Sequence, residues 1–276
     1  MPDFQLFRVK VYEPPQRRLF GPEWSRSDFL LECIGSLSGK GAAKGTLWHL
    51  GNPHHVDDAG IYFRVGRISK STVGLYQDGN FIDQEFEVAP YTHVLLDTAL
   101  ELCAIAKNAK LSPSPSGIAR QLARLIKASD IARLRDVDVE ISELSDPEDF
   151  IAHMREAAAI QKFWVTFSRP NPFDLDEDFS KPLQGVLTAV NGETGKAEIA
   201  GGDLDAGPLE TVARSAAATG MDAGAVMVRT GAERKERRRL RENIVTVSEG
   251  EVDVERLASL LSRIRTIYSR IRGKTD

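Results

Sequence analysis

The distribution of apolar and polar positions along the chain predicts a mixture of strands and helices. Apolar and polar residues alternate between Phe4 and Val11, and β-branched and aromatic residues dominate Ile61–Ile68. A further apolar stretch, His93–Ala106, is divided by Asp97-Thr98 into the two strands of a hairpin. Later strands are predicted at Val137–Ile141, Phe163–Phe167, Lys196–Ala200, Ala225–Arg229 and Asn243–Val247.

Between these strands, apolar residues recur with the spacing of helices. Ser25 and Asp28 form a helix-start signal before the first of them. The clearest helix is the last, in which the apolar residues from Val254 to Ile271 repeat with the 3.6-residue period over about five turns. The pattern predicts helices over residues 29–37, 118–126, from 146 onward, 179–190, 209–218 and 254–271.

The order of these elements predicts an α+β fold. It consists of a globular N-terminal α+β domain, a second, smaller α/β domain and a closing C-terminal amphipathic helix. Elements become shorter and alternate more quickly after Ser129, which places the boundary near residues 130–136.

The composition is that of a globular protein, with 42% hydrophobic and 28% charged residues among 276. No apolar run approaches the roughly 18–20 residues that span a bilayer, and the first residues lack the order of a secretory signal. Cys33 and Cys103 lie far apart in apolar surroundings, which is typical of reduced core thiols. These features predict a cytoplasmic protein that does not act on membranes.

Charge is distributed unevenly along the chain. Residues 229–276 hold 13 Lys/Arg and 8 Asp/Glu, a net of +5, whereas residues 1–228 hold 23 basic and 32 acidic residues, a net of −9. Much of the deficit lies in residues 136–178, with 12 acidic and 3 basic side chains. An acidic body excludes a protein that coats nucleic acid with its whole surface, but a segregated basic end permits a local anion site.

The strongest local signal is a basic run between Ala232 and Glu242. Arginine offers a planar donor fork for phosphate oxygens, and several cations together release counterions when they bind a polyanion. The run lacks interleaved aromatic residues, so backbone contacts with weak sequence preference are expected rather than base stacking. An exposed charged linker or helix, paired with its own glutamates or with the acidic stretch, accounts for the same run. Its six cations are Arg234, Lys235, Arg237, Arg238, Arg239 and Arg241, and the polar face of the final helix carries more.

A magnesium-dependent nuclease is an alternative from the enzyme class. Such enzymes combine a carboxylate on one strand with an acid-x-Lys triplet on the next. Asp222 and the triplet that contains Glu233 and Lys235 have roughly that spacing. The triplet lies in so charged a run that it is expected by chance, and no catalytic residue is assigned.

Two other groups of residues resemble known sites less closely. Gly35–Gly41 carries a lysine as a phosphate-binding P-loop does, but its glycines are one residue too close and no Ser/Thr follows Lys40. The histidines and aspartates of residues 49–58 lack cysteine partners and the His-Glu-x-x-His spacing of zinc sites. A solvated turn is expected there, and neither a metal nor a cofactor is predicted.

Three segments carry a family resemblance: Phe167–Leu175, with the sequence Phe-Ser-Arg-Pro-Asn-Pro-Phe-Asp-Leu, Ala89–Leu96 and Ser112–Ile126. Together with the order of elements, they resemble a bacterial family of unknown function that is associated with phage defence. That family is distantly similar to the phage exclusion protein RexA and to the Kiwa component KwaB.

The resemblance implies a homodimer that binds DNA without strong sequence preference and has a globular domain and a mobile second domain. It implies that residues 248–276 return to complete the domain formed by residues 1–135, so that residues 136–247 are an insertion. In RexA the basic residues that contact DNA lie at the end of a strand in the second domain. The corresponding strand here is Ala225–Arg229, and Arg229 is the position carried over.

The leading hypothesis is therefore a non-enzymatic component of a bacterial anti-phage defence system that binds duplex DNA. Arg229 and the six cations of the basic run are its candidate phosphate contacts. An interaction module, whose basic end docks on an acidic partner such as a second defence protein, stays open as a third hypothesis.

Overall fold

The chain folds into two main antiparallel sheets with helices packed around them. A computed structural model describes residues 2–13, 24–38, 48–168, 180–190, 192–229, 235–250 and 252–273. The first half contains β1 (Asp3–Tyr12), α1 (Arg26–Leu37), β2 (Trp48–His55), β3 (Gly60–Arg67), β4 (Ser69–Gln77), β5 (Asn80–Val88), β6 (Tyr91–Asp97), β7 (Leu102–Ala106), α2 (Pro115–Ala128) and α3 (Asp130–Arg135). The second half contains β8 (Asp138–Glu143), α4 (Glu148–Glu156), β9 (Ala157–Ser168), α5 (Ser180–Ala189), β10 (Thr194–Ala200), α6 (Ala206–Ala218), β11 (Ala223–Arg229), β12 (Lys235–Arg239), β13 (Thr246–Ser248) and α7 (Leu257–Ile271). The α+β class and the C-terminal helix are confirmed.

The first sheet has the strand order β13-β1-β7-β6-β3-β2, and β8 also pairs with β1. Its central strand β1 is buried on both faces, because Phe4 and Leu6 enter one apolar cluster while Phe7 and Val9 enter another. The predicted hairpin is confirmed, since Val94 of β6 lies opposite Ile105 of β7. Helices α1 and α2 cover the face that carries Phe7, and both cysteines are buried and free there.

The second sheet has the order β10-β9-β11-β12. Alternation along β9 gives it two different faces. Phe163 and Val165 point into the same apolar cluster as α6 and α7, together with Ala225 of β11. This face is called the inner face below, and the opposite one the outer face.

The final helix α7 lies in the larger apolar cluster, which also contains Phe4 of the first sheet and Phe163 of the second. Its Arg265 donates hydrogen bonds to Asp97, the last residue of β6 (2.6 Å), and to Asp57 in the turn between β2 and β3 (2.6 and 3.1 Å). Tyr268 donates to the carbonyl of Ala218 at the end of α6 (3.1 Å). This larger cluster thus joins elements from both sides of the predicted boundary. The division into domains and the mobility of the second domain remain predictions.

Local signals explain where several helices begin. Ser25 and Asp28 form a capping box at α1, in which each side chain accepts a hydrogen bond from the other residue's backbone N–H. Pro115 occupies the first turn of α2, where its missing N–H is no loss. Glu148 and Asp149 lie in the first turn of α4, where the helix dipole favours negative charge.

Three parts of the structure differ from the sequence-based expectations. Residues 49–58 were expected to form a solvated turn, but β2 extends to His55, and only the four residues before β3 turn. The prediction was wrong because proline and histidine were taken as turn signals, whereas an edge strand tolerates both. Strands β4 and β5 were not predicted, and the basic run contains the strand β12 instead of a linker or helix. Of the stretch compared with a P-loop, Gly35–Leu37 belong to α1, whereas Gly39–Gly41 lie outside the described residues.

Candidate nucleic-acid interface

The basic run is placed by the pairing of β12 with β11. The ladder puts Arg239 opposite Gly224, Arg237 opposite Val226 and Lys235 opposite Val228. Because successive side chains of a strand point to opposite faces, only alternate residues of the run share a surface. The run therefore does not form a single patch.

One surface is the outer face of the second sheet. Lys235, Arg237 and Arg239 occupy the three outward positions of β12 and all are exposed. Lys162 of β9 lies opposite Val226 of β11, which in turn lies opposite Arg237, so its side chain is on the same face. Lys196 of β10 is on this face too, because it lies opposite Thr166, which is four residues after Lys162 on β9. These five cations are called the basic face.

Trp164 lies at the centre of the basic face. Its ring centre is 4.7 Å from the guanidinium carbon of Arg237 and 5.4 Å from Lys196 Nζ, within the range of cation–π attraction. The side chain is only 3% exposed. Gly224 provides room for it, because a Cβ there would lie 2.1 Å from the indole ring. The tryptophan is thus a buried support for two exposed cations and presents no free ring for stacking.

Two carboxylates share the basic face. Glu198 accepts hydrogen bonds from Lys162 (2.6 Å) and Lys196 (2.7 Å), and these lysines lower the pKa of its carboxyl to about 2. Asp222 lies 3.6 Å from Arg239. Five cations against two carboxylates leave a net of +3. Within the described part of the chain, Lys235 and Arg237 have no carboxylate within ion-pair distance.

The other predicted cations lie elsewhere. Arg238 points to the opposite side of β12, where it pairs with Glu236 (2.7 Å) and Glu242 (3.4 Å). Arg229 lies 3.7 Å from the same Glu236 and lines a cavity of about 300 Å³ with His153. Both arginines are therefore balanced by local acids and do not join the basic face.

Arg241 and Arg234 are the remaining candidate phosphate contacts. Arg241 is exposed in the short helical turn that follows β12, and Arg234 lies outside the described residues. The structure thus brings together Lys235, Arg237 and Arg239 and separates Arg229 and Arg238 from them. The cause is that side chains alternate between the two faces of a strand. The interpretation of the run as a linker or helix does not predict this separation.

The final helix does not extend the basic face. It packs against the inner face, so the sheet separates its cations from those of β12. Arg263 pairs with Glu249 (2.5 Å) and Arg270 with Asp146 (3.1 Å). With Arg265 bonded to Asp57 and Asp97, these arginines stabilise the fold.

The nuclease alternative requires Asp222 and Lys235 to share a metal ion. Asp222 directly precedes β11, whereas Lys235 lies opposite Val228 at the other end of that strand. Six residues of strand separate them by about 20 Å at about 3.3 Å per residue. Asp222 also faces Arg239, and Glu233 lies outside the described residues. The structure does not bring the proposed nuclease residues together, and among the described residues no group of three His, Cys, Asp or Glu side chains could hold a metal ion.

Sequence reasoning missed three members of this surface: Lys162, Trp164 and Lys196. The signal for two of them was present, because Lys162 and Trp164 alternate with the apolar Phe163 and Val165. The sequence therefore predicts that both side chains lie on the polar side of β9. Their proximity to β12 could not be predicted, because it depends on pairing between segments 60 to 70 residues apart.

Charged residues on an edge strand have another established role, since they prevent the edge from pairing with other chains. Lys235, Arg237 and Arg239 on β12 serve that role whatever else they do. Edge protection does not account for Lys162, which lies on the interior strand β9, nor for the orientation of Arg237 over Trp164. The basic face therefore extends beyond what edge protection requires.

No protein-family model matches the chain, and no curated protein matches its sequence. The resemblance to the phage-defence family stays a prediction. Among the residues that the structure describes, no helix has the length and apolar content needed to cross a bilayer.

Proposed function

We propose that the basic face binds the phosphate backbone of duplex DNA with weak sequence preference. The observation that supports this most is the alignment of Lys235, Arg237 and Arg239 on one side of β12, with Lys162 and Lys196 on the neighbouring strands. Several exposed cations on a rigid surface release counterions when they neutralise phosphates, which favours binding.

The structure favours duplex DNA over single strands as the ligand. Single-strand binders expose aromatic rings on which bases stack. On the basic face the aromatic side chain is Trp164, and it is buried beneath Arg237 and Lys196. Contacts through cations alone read the backbone and carry little sequence information.

We further propose that the protein is a non-enzymatic, cytoplasmic component of a bacterial anti-phage defence system. The resemblance of Phe167–Leu175, Ala89–Leu96 and Ser112–Ile126 to a phage-defence family supports this assignment. The separation of Asp222 from Lys235 supports a binding role over the nuclease alternative.

A fluorescence-anisotropy titration with a labelled duplex at several salt concentrations tests the proposal. Three to five phosphate contacts give a slope of log K against log salt of about −3 to −4.5. Absence of binding at low salt, or a slope near zero, would contradict it. The same titration with single-stranded DNA and RNA ranks the ligands.

A further inference from the structure

The first sheet carries a cluster of polar side chains where one of its faces leaves the core. Arg64 of β3 lies directly opposite His93 of β6, and Gly66 lies opposite Tyr91, so these positions share one face. Tyr62, two residues before Arg64, is on the same face and belongs to the larger apolar cluster. The core ends at this cluster, since Tyr62 is 6% exposed, Arg64 and His93 are half-buried and Tyr91 is 44% exposed.

Hydrogen bonds join three of these residues in a chain. The Nε–H of Arg64 donates to the Tyr62 hydroxyl oxygen (3.2 Å), and that hydroxyl lies 2.7 Å from Nδ1 of His93. Burial and the nearby charge of Arg64 lower the pKa of His93 below its ordinary value, so the imidazole is neutral at pH 7 and one ring nitrogen carries the hydrogen. If Nδ1 carried it, the hydroxyl hydrogen of Tyr62 would have no acceptor among the described residues. Tyr62 therefore donates to Nδ1, and the hydrogen lies on Nε2.

This arrangement leaves hydrogen-bond donors without acceptors. Within the described part of the chain, no hydrogen bond or ion pair engages Nη1 or Nη2 of Arg64, or Nε2 of His93. The guanidinium carbon of Arg64 lies 4.6 Å from the centre of the Tyr91 ring, which restricts the orientation of the group. The bond to Tyr62 and the packing on Tyr91 account for Nε and for the stacked plane. They leave a half-buried guanidinium with a free donor fork, which favours an anionic partner.

A glycine keeps the space beside Arg64 open. Gly51 of the edge strand β2 lies opposite Arg64, so a side chain there would be on the same face. Its φ is outside the left-handed region, and no described atom lies within 4 Å of the position that an added Cβ would take. Neither the backbone nor close packing of the described residues therefore requires glycine here. Its effect on this face is to leave room next to the free fork, with the exposed His54 on the same strand opposite Tyr62.

Neighbouring acids do not neutralise the cluster. Along the chain, the acids nearest to His93 are Glu87 and Asp97, six residues before it and four residues after it. At about 3.3 Å per residue of extended chain, they lie about 20 Å and about 13 Å away. Asp97 is also bonded to Arg265. The charge of Arg64 is therefore available to an anion from outside the chain.

We propose that Arg64 and His93 bind the phosphate group of a small phosphate monoester in the space left by Gly51. Such a group carries about −1.5 to −2 charge at pH 7 and three acceptor oxygens. The two η nitrogens of Arg64 and Nε2 of His93 supply donors for all three, whereas the arginine fork alone satisfies the two oxygens of a carboxylate. A single arginine is too little charge for a polyanion such as DNA, whose binding requires several cations. This inference is independent of the proposed DNA binding by the basic face.

Isothermal titration calorimetry with AMP, inorganic phosphate and adenosine tests the proposal. The basic face also attracts phosphate, so the titrations use the full chain with the substitutions Lys235→Ala, Arg237→Ala and Arg239→Ala. AMP and inorganic phosphate are expected to bind, and adenosine is not, because it lacks the oxyanion that Arg64 and His93 recognise. Absence of binding by AMP and phosphate, or equal binding of adenosine and AMP, would overturn the proposal.

Two substitutions locate the bound phosphate. Arg64→Met keeps an apolar stem on Tyr91 and is expected to raise the Kd for AMP at least about tenfold, because charge-assisted hydrogen bonds are lost. Gly51→Val removes no donor but fills the open space, in a strand that valine suits, and a similar rise is expected.

Gly74→Val is the matched control, because it makes the same change on β4, ten residues beyond Arg64. An added Cβ there meets Asp83 Oδ1 at 3.8 Å, an ordinary contact. The control should leave the Kd within about twofold, since distant sites act independently. Circular dichroism checks that each variant folds. A folded Gly51→Val variant that binds AMP as tightly as its parent would place the phosphate elsewhere and contradict the assignment.

Discussion

The guanidinium carbon of Arg237 lies 4.7 Å from the centre of the Trp164 ring. The two residues are on different strands, β12 and β9, with β11 between them. The buried ring restricts the position of the arginine side chain, so less side-chain entropy is lost when it contacts a phosphate. The pair links the packing of the sheet to the proposed binding surface.

Removing the outward cations of β12 is expected to weaken DNA binding and its salt dependence. The triple change Lys235→Ala, Arg237→Ala and Arg239→Ala should reduce the magnitude of the log–log salt slope by about 0.9 for each phosphate that the protein no longer neutralises. Anisotropy titrations across salt measure the slope directly.

A matched control uses two nearby cations that point elsewhere, Arg238 of the same run and Arg229 at the end of β11. Arg229→Ala and Arg238→Ala remove two arginines that are already balanced by Glu236. They are expected to change the slope by much less. If the control lowers the slope as much as the triple change, the assignment of the basic face is wrong.

Neutralising Asp222 is expected to strengthen DNA binding. Its carboxylate lies 3.6 Å from Arg239 and competes with a phosphate for that arginine. Asp222→Asn removes the repulsion between the carboxylate and a phosphate at little steric cost. It should lower the Kd about threefold at low salt, since its partner Arg239 is 55% exposed and pairs with an exposed member contribute about 1 kcal/mol or less. A nuclease that depends on Asp222 would instead lose magnesium-dependent cleavage of plasmid DNA, and the same variant distinguishes the two.

Gly224→Ala is expected to destabilise the protein. The added Cβ would lie 2.1 Å from the indole of Trp164, so the ring must move and disturb Arg237 and Lys196. Overpacking of this kind costs about 1–3 kcal/mol, measurable as a lower urea midpoint. Gly185→Ala in α5 is the control, because nothing lies within 4 Å of its added Cβ and alanine favours a helix. Equal stability of the two variants would contradict the packing argument.

Arg265→Met should destabilise the attachment of the final helix. The change keeps an apolar stem but leaves the Asp97 side chain, which is 2% exposed, without its charged partner. Because the side chain of Arg265 is itself 34% exposed, the loss should be smaller than the roughly 3–5 kcal/mol of a fully buried ion pair. Chemical denaturation measures this loss, and Arg272→Met, at an exposed position beyond the helix end, serves as the comparison.

The same contact predicts a pH dependence of stability. The hydrogen bonds from Arg265 keep the pKa of Asp57 below its ordinary value, with help from the Gly60 and Ala59 N–H groups. Because the folded-state pKa is the lower one, the stabilisation is present at neutral pH and disappears as the pH falls through that value, below about 4. Asp57→Asn should therefore lose less stability between pH 7 and pH 3 than the wild type. Asp58→Asn, beside it on the surface, should follow the wild type.

Much of the fold followed from local patterns. The alternation around Phe163 and Val165 and the 3.6-residue period of α7 each reflect a single buried face, so a short window of sequence is sufficient to predict the element. The ribbon of β4 and β5 was missed although Asp78-Gly79, flanked by alternating apolar residues, is a strong hairpin signal. Residues 49–58 and β12 were missed because polar residues on edge strands do not differ in composition from those in loops.

For this protein, the helices and strands with one buried face, the buried cysteines and the concentration of positive charge near the C-terminal end were encoded locally. Which cations act together was not. Lys162, Lys196 and Arg237 come from three separate segments, and only the pairing of β9, β10, β11 and β12 places them on one face. In the same sheet, Arg238 points to the opposite face, because successive side chains of a strand alternate in direction. The sequence shows only that Arg237 and Arg238 are adjacent. Charge is thus a property of the chain, whereas a binding surface depends on register between distant strands.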